Sequence, residues 1–339
     1  MRVFQVEGQW AMSHLRLSQR PQPQAERGQV RIKMAAAALN YRDLIVPTRG
    51  YGARMQELPL IMLSDGAGVV DQVGLGVTQF KEGDEVCPLL FQTWVSGPAD
   101  AYKLSRGLGC ETDGTMADYV VLPEQGVAHA PKDWSSLQAA TLPTAALTAW
   151  SAVVIEGGVR PGDSVLVQGT GGVALFALQF AKMLGANVIL TSSSNEKLAR
   201  ARLLGADHLI NYREVPDWGK QARTLGGRDG VDLIVDVGGE SSLPQSLRAV
   251  RSGGRIALIG VLGGAKMNAP LGLVVTRQVR MQGITVGSKD AFADMVRAID
   301  ANGMRPVLDQ VFGFAELPDA LAYLASGKHF GKVCIDFAR

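Results

Sequence analysis

The sequence predicts an α/β chain: a doubly wound parallel sheet joined to a second, β-rich domain. Three observations carry this. From about residue 160, short apolar runs alternate with amphipathic helical segments, the rhythm of stacked β-α-β units. A glycine turn joins the first of these runs to the first helix. Before about residue 122 the pattern differs, with short runs bounded by glycine and no helical period.

Each element follows in order. In the first part, 30–34 and 68–73 read as strands, and 81–86 (Lys-Glu-Gly-Asp-Glu-Val) reads as a turn entering another. Residues 92–116 carry Gly97, Pro98, Gly107, Gly109 and Gly114 and read as a long loop, which in a compact domain is usually functional or mobile. Parallel strands are expected at 164–168, 187–191, 208–210, 231–236 and 255–259. Each is short and apolar, as strands covered by helices on both faces must be. Helices are expected at 173–184, 195–204 and 242–250, with Ser194 as N-cap and Gly205 as stop of the second. A helix at 290–301 and a strand at 331–336 close the chain. The expected domains are 1–122 with 290–339, and 123–289.

Composition narrows the function classes. The chain has 339 residues, 47% hydrophobic and 19% charged, which suits an ordinary soluble globular protein of two domains. A formal charge of +2 with scattered Lys and Arg leaves no footprint for nucleic acid. No uninterrupted apolar stretch reads as a membrane span, and the acidic Glu7 interrupts any apolar signal core, so the cytoplasm is the expected compartment. Cys87, Cys110 and Cys334 are far apart and read as reduced, small apolar residues.

The chemistry begins at Gly169-Thr170-Gly171-Gly172-Val173-Ala174. Gly169, Gly171 and Ala174 fit the G-x-G-x-x-G/A fingerprint of a dinucleotide-binding βαβ unit. There the glycines let backbone approach a pyrophosphate, which meets free N–H groups and the positive end of a helix. Inside a repeating α/β pattern the signal is strong, and the bland alternative is a turn used only for packing. The expectation is a redox enzyme with a Rossmann sheet. A preference for NAD would place Asp or Glu at the end of the second strand to hold the ribose hydroxyls. Here that corner is Thr191-Ser192-Ser193-Ser194, with Lys197 behind it, so hydroxyls and a cation are available for the 2′-phosphate of NADP(H). The serines can equally cap the following helix. Tyr212 either stacks on adenine or sits at the sheet edge.

The runs 66–74 (Gly-Ala-Gly-Val-Val-Asp-Gln-Val-Gly), 80–86, the fingerprint, Gly205-Ala206-Asp207-His208 and Phe330-Gly331-Lys332-Val333 together resemble the medium-chain dehydrogenase/reductase superfamily across essentially the whole chain. The resemblance implies a GroES-like catalytic domain closed by the C-terminal segment, a Rossmann domain, an active site in the cleft between them, and a homodimer or homotetramer joined through the Rossmann sheet. Zinc-dependent members hold a metal at positions that here are Asn40, Ser64 and Thr144, and their cysteine-rich structural loop retains only Cys110. Neutral amides and hydroxyls are poor zinc ligands, so no zinc is expected. Without zinc the chain looks like the quinone oxidoreductase-like branch, whose Asn-x-x-Asp pattern matches Asn40 and Asp43.

The expected activity is NADPH-dependent, zinc-free hydride transfer to a quinone or an α,β-unsaturated carbonyl. The alternatives are an alcohol or aldehyde dehydrogenase of the same superfamily, and an NADPH-binding sensor or scaffold with negligible turnover. Asn40 offers an amide donor to the substrate oxygen, and Thr144 or Thr148 a hydroxyl. The resemblance puts Tyr51 near the substrate as the candidate proton donor, a surface-loop aromatic being the alternative, with Tyr41 in reserve; a second family tyrosine is here Ile45. Asp43 is expected to order its neighbours and Asp65 to support them. Tyr41, Phe91 and Trp94 are expected to wall the substrate pocket; for Phe91 and Trp94, packing between lobes is the alternative. Gly238, Gly260, Val261, Val286 and Gly287 are expected at the carboxyl edge of the sheet, beside the cofactor.

Overall fold

The structure is a computed structural model that describes residues 1–339 except Arg228 and Asn268. It divides into two compact units, Met1–Leu147 with Gly287–Arg339, and Thr148–Val286.

The second unit is a six-stranded parallel sheet. Its spatial order is His208–Asn211, Asn187–Ser192, Ser164–Gln168, Val231–Asp236, Val250–Leu258 and Arg280–Gly283. This is the doubly wound order in which the chain reverses direction beside the first strand. Every residue of Ser164–Gln168 is buried, which is why the run is apolar rather than alternating. Helix Gly172–Met183 buries Ala174, Leu175, Leu178 and Ala181 one turn apart, together with Phe176, Ala177 and Phe180. A core of Leu166, Ile189, Ile234, Ile256 and Trp218 fills the other face, and each of the Leu and Ile side chains contributes roughly 1.5–3 kcal/mol.

The first unit is built on a mixed sheet in the order Leu308–Gly313, Lys332–Asp336, Gln29–Ala38, Asp65–Val73, Glu85–Pro88 and Val127–His129, with Tyr119–Pro123 pairing the first half of Gln29–Ala38, residues 29–33. A smaller sheet joins Leu15–Gln19, Arg2–Val6 and Leu60–Ile61. Val3, Ile32, Met62, Val70, Met116 and Phe314 pack between them. The C-terminal strand runs antiparallel to Gln29–Ala38, with Cys334 opposite Ala38. That register carries the start of the last strand to the point where the chain leaves residue 38.

The structure departs from the sequence reading in several places. Residues 123–147 lie in the first unit, because Val127–His129 pairs Glu85–Pro88 and Ser136–Ala139 packs on Asp65–Val73. Ser136–Ile155 is a helical run whose length and mean hydropathy of 1.2 do suit a membrane span, contrary to the expectation that no stretch would. Its apolar window is 78% buried, so it serves as core. Two π-turns, Leu142–Ala146 and Ser151–Ile155, interrupt it. Helices Trp218–Leu225, Leu271–Thr276 and Leu317–Ala325 lie outside the sequence expectations.

Candidate active site

The first cluster forms where Gln29–Ala38 ends. Lys332, 3% exposed, opens the last strand. Its Nζ donates to the Leu39 carbonyl and to Asn40 Oδ1, each at 2.6 Å. Asp43, at the start of the short helix Arg42–Ile45, is buried, and its Oδ2 accepts the Asn40 backbone N–H at 2.7 Å. Two buried polar atoms of this cluster have no hydrogen-bond partner among the described residues: Asn40 Nδ2, a donor, and Asp43 Oδ1, an acceptor. Burial pushes the Asp43 carboxyl up to about 6, against the pull of Arg42 and Lys332. Burial likewise holds the Lys332 ammonium below its usual range, opposed by the charge of Asp65 and Asp43.

The neighbouring cluster centres on Asp65, fully buried at the start of Asp65–Val73. Its Oδ1 accepts the Thr144 hydroxyl at 2.6 Å and the Ser64 hydroxyl at 3.1 Å, and its Oδ2 accepts the Thr144 N–H at 3.0 Å. Thr144 is the third residue of the turn Leu142–Ala146, a start position whose N–H the turn itself does not use. Thr144 is therefore placed differently from expectation. Its proton is committed to Asp65, so it is not available to donate to a substrate. Thr148 is committed too, to the Thr285 carbonyl at 3.3 Å.

This donor set does not fit zinc. At the three positions where the resemblance puts ligands, the Asn40 oxygen faces an ammonium and the Ser64 and Thr144 hydroxyls point their protons at Asp65. A divalent cation on Asn40 Oδ1 would compete with a positive charge already there. Among the described residues no group of three His, Cys, Asp or Glu has metal-binding geometry. Burial pushes the Cys334 thiol up to about 12, and the Cys87 thiol is also raised, so neither is a ready thiolate.

The aromatic candidates divide. Tyr51 is 37% exposed, with the Arg42 guanidinium 5.7 Å from its ring centroid. Tyr41 is more exposed still. Phe91 is buried and Trp94 half-buried, their rings 6.4 Å apart. Residues 92–116 are irregular, as expected, and are tethered: the N–H groups of Lys289 and Asp290 donate to the Trp94 and Val95 carbonyls, each at 3.0 Å.

In the second unit, Gly169 has φ +81°, a left-handed conformation that favours glycine. Gly171 caps helix Gly172–Met183, and Thr170 beside it is buried. At the end of Asn187–Ser192, Thr191 and Ser192 are buried, while Ser193, Ser194 and Lys197 are half-exposed. Ser194 Oγ accepts the Lys197 N–H at 3.3 Å, the expected cap. Tyr212 is exposed just past His208–Asn211, its N–H donating to the Ser192 carbonyl at 3.1 Å. Gly238 and Gly260 follow strand ends where a Cβ would lie 2.5 Å from Ser242 Oγ and 2.3 Å from the Val237 carbonyl. Val261 is exposed, and Val286 is buried; Gly287 begins the return to the first unit.

Sequence reasoning missed two groups here. One is Lys332. The other is Asp236, fully buried, whose Oδ1 accepts the Gly238 and Gly239 N–H groups and the Ser242 hydroxyl, and whose Oδ2 accepts that of Ser246. Its position at a parallel strand's end, two residues before a glycine pair, was the available signal.

Comparison with known proteins agrees with this architecture. The alcohol dehydrogenase GroES-like domain family matches residues 26–132, and the zinc-binding dehydrogenase family matches residues 172–301. A zinc-type alcohol dehydrogenase-like protein of Schizosaccharomyces pombe is 42% identical over 314 residues, covering 91% of this chain and 90% of its own. An acryloyl-coenzyme A reductase of Sulfurisphaera tokodaii is 28% identical over 328 residues, covering 94% and 96%. The crystal structure of an NAD-dependent alcohol dehydrogenase superposes with a TM-score of 0.90 at 36% identity, covering 99% of both chains.

Proposed function

Because the chain belongs to the medium-chain dehydrogenase/reductase superfamily and is one of its oxidoreductases, we propose that it reduces an α,β-unsaturated carbonyl or a quinone with NADPH and without zinc. The observation that carries the proposal is the orphaned Asn40 Nδ2, a buried donor beside a cation, in the place of a metal ligand.

The cofactor, when bound, supplies the hydride. Everything else falls to the chain. Reducing a simple ketone concentrates negative charge on one oxygen, which a Lewis acid handles well. Hydride addition at the β-carbon of an enone spreads that charge into an enolate, which hydrogen-bond donors can hold. Asn40 Nδ2 is assigned to that oxygen. Tyr51 is assigned the proton that the α-carbon then takes. Asp43 fixes the Asn40 backbone through its N–H. Tyr41, Phe91 and Trp94 are assigned to the substrate's walls.

Backbone from Gly169 to Val173 is assigned to the pyrophosphate, and Ser193, Ser194 and Lys197 to the 2′-phosphate, with Thr191 and Ser192 buried behind them. Tyr212 is assigned to the adenine side, and Gly238, Gly260, Val261, Val286 and Gly287 to the nicotinamide side. The sheet's edge strand Arg280–Gly283 is largely exposed, as a homodimer or homotetramer built through that edge requires. The Schizosaccharomyces relative's name keeps the alcohol dehydrogenase reading in view.

One assay separates the readings. NADPH oxidation is followed with 9,10-phenanthrenequinone, 2-cyclohexenone, a crotonyl thioester and saturated aldehydes. Turnover of the first three is expected. Activity confined to saturated aldehydes would establish the alcohol dehydrogenase reading instead, and binding of NADPH with no consumption would establish a sensor. Tighter binding of NADH than NADPH would overturn the cofactor assignment.

A further inference from the structure

We infer that Lys332 is a positioning residue: it holds the Asn40 side chain in the one orientation that presents its NH2 group to the substrate. The inference rests on the reading of Asn40 as the substrate's donor, and adds which atom is presented and what presents it.

Lysine carries only donors, and both atoms it meets here are oxygens, the Leu39 carbonyl and Asn40 Oδ1. That settles the amide. Turned over, it would set N–H groups against an ammonium and leave its oxygen where the NH2 now lies. In the observed orientation Nδ2 is buried with no partner among the described residues. An orphaned buried donor is costly, and a ligand oxygen arriving there would relieve it. The ammonium also draws electron density from the amide oxygen, which makes the N–H groups better donors.

The geometry suits this task. Lys332 is 3% exposed on a strand hydrogen-bonded to Gln29–Ala38, so its stem does not wander. Asp43, Asp65 and the Cys334 thiol are the titratable groups that act on it. A purely structural strap would need only the Leu39 bond, and removing it would lower stability without touching turnover.

The test uses Lys332→Met, Lys332→Arg, Asn40→Ala and the double variant Lys332→Met/Asn40→Ala. Each is assayed on whichever acceptor the wild type reduces fastest, with the NADPH dissociation constant measured separately. Lys332→Met is expected to lower kcat about tenfold with KM and NADPH affinity changed less than about twofold, and Lys332→Arg to restore most of it. In the Asn40→Ala background the same change is expected to cost less than about twofold, since the group it positions is gone. A readout without turnover runs beside it: with asparagine 15N-labelled, the Asn40 side-chain NH2 resonances, identified by their loss in Asn40→Ala, should move or broaden in Lys332→Met and persist in Lys332→Arg. Losses that multiply in the double variant, or Asn40 resonances unmoved in Lys332→Met, would overturn the inference. If the wild type reduces none of the acceptors, the functional reading fails, and the resonances alone still decide whether Lys332 orients Asn40.

Discussion

The glycine loop of the second unit and the Asn40 cluster of the first are built from opposite materials. The loop is backbone: one left-handed glycine and a helix start within a few residues of one another. The cluster is side chain: an amide and an ammonium 292 residues apart in sequence, brought to 2.6 Å by one antiparallel register. A backbone site recognises a ligand that many enzymes share. A side-chain site can be rewritten without disturbing the fold, and here the rewriting has put a neutral donor where the resemblance puts a thiolate. On the proposed assignments, cofactor class is carried by the first kind of site and reaction class by the second.

The largest test of that division is Asn40→Ala. If the donor lives in the side chain, kcat/KM for the best acceptor falls about a hundredfold, the usual scale for losing one transition-state donor, while NADPH affinity holds. Steady-state kinetics with a separate NADPH titration would show it. A loss of cofactor affinity of similar size would erase the distinction between the two sites.

The converse test is in the loop. Gly169→Val forces a β-branched residue to φ +81°, so both stability and NADPH binding should suffer, the latter about a hundredfold. Gly171 has an ordinary extended conformation, φ −80° and ψ −176°. Gly171→Ala should therefore leave thermal unfolding within a degree or two and weaken NADPH about tenfold, because only close approach to the pyrophosphate is lost. Equal effects on stability from the two would mean that the loop is there for packing.

How much is legible in the sequence follows the same line. The strands 164–168 and 231–236 are legible to the residue, and the Ser194 cap with them, because each is specified within a dozen residues. Helix Leu317–Ala325 carries Pro318 in its first turn, and Ser135 and Gln138 form a capping box ahead of Ser136–Ala139; both are local signals that the apolar periodicity alone does not bring out. Lys332 carries no local signal of its role. Its neighbours in sequence, Phe330, Gly331 and Val333, describe only a buried strand, and its bond to Asn40 exists only after the C-terminal segment has folded back on Gln29–Ala38. Thr144 shows the reverse error. A hydroxyl in sequence advertises a donor, and only the placement of Asp65 shows that its proton is already taken.

A smaller effect separates the two cofactors. With no carboxylate at the end of Asn187–Ser192, Ser193→Asp supplies the charge that repels a 2′-phosphate and can accept from ribose hydroxyls. The ratio of NADH to NADPH in kcat/KM should rise about tenfold. An unchanged ratio would mean that the 2′-position is read elsewhere.

The smallest and most local test is the charge on Asp43. Its folded-state carboxyl is raised from 3.8 to about 6, with burial as the main cause. The folded protein thus holds a proton that the unfolded chain has already released, so stability contributed by this group is full below about 4 and is lost as the pH rises through 6. The Asp43→Asn variant would keep an amide oxygen to accept the Asn40 N–H, and that side chain never ionises. The variant should gain roughly 1–2 kcal/mol over the wild type at pH 8, once the weaker neutral hydrogen bond is allowed for, and nothing at pH 4. Denaturant unfolding at both pH values checks the sign. A gain of the same size at pH 4 would place the effect in packing. A loss at pH 8 would mean that Arg42 and Lys332 stabilise the carboxylate more than burial opposes it, and Asp43 would then be the counter-ion of those cations rather than strain against its surroundings.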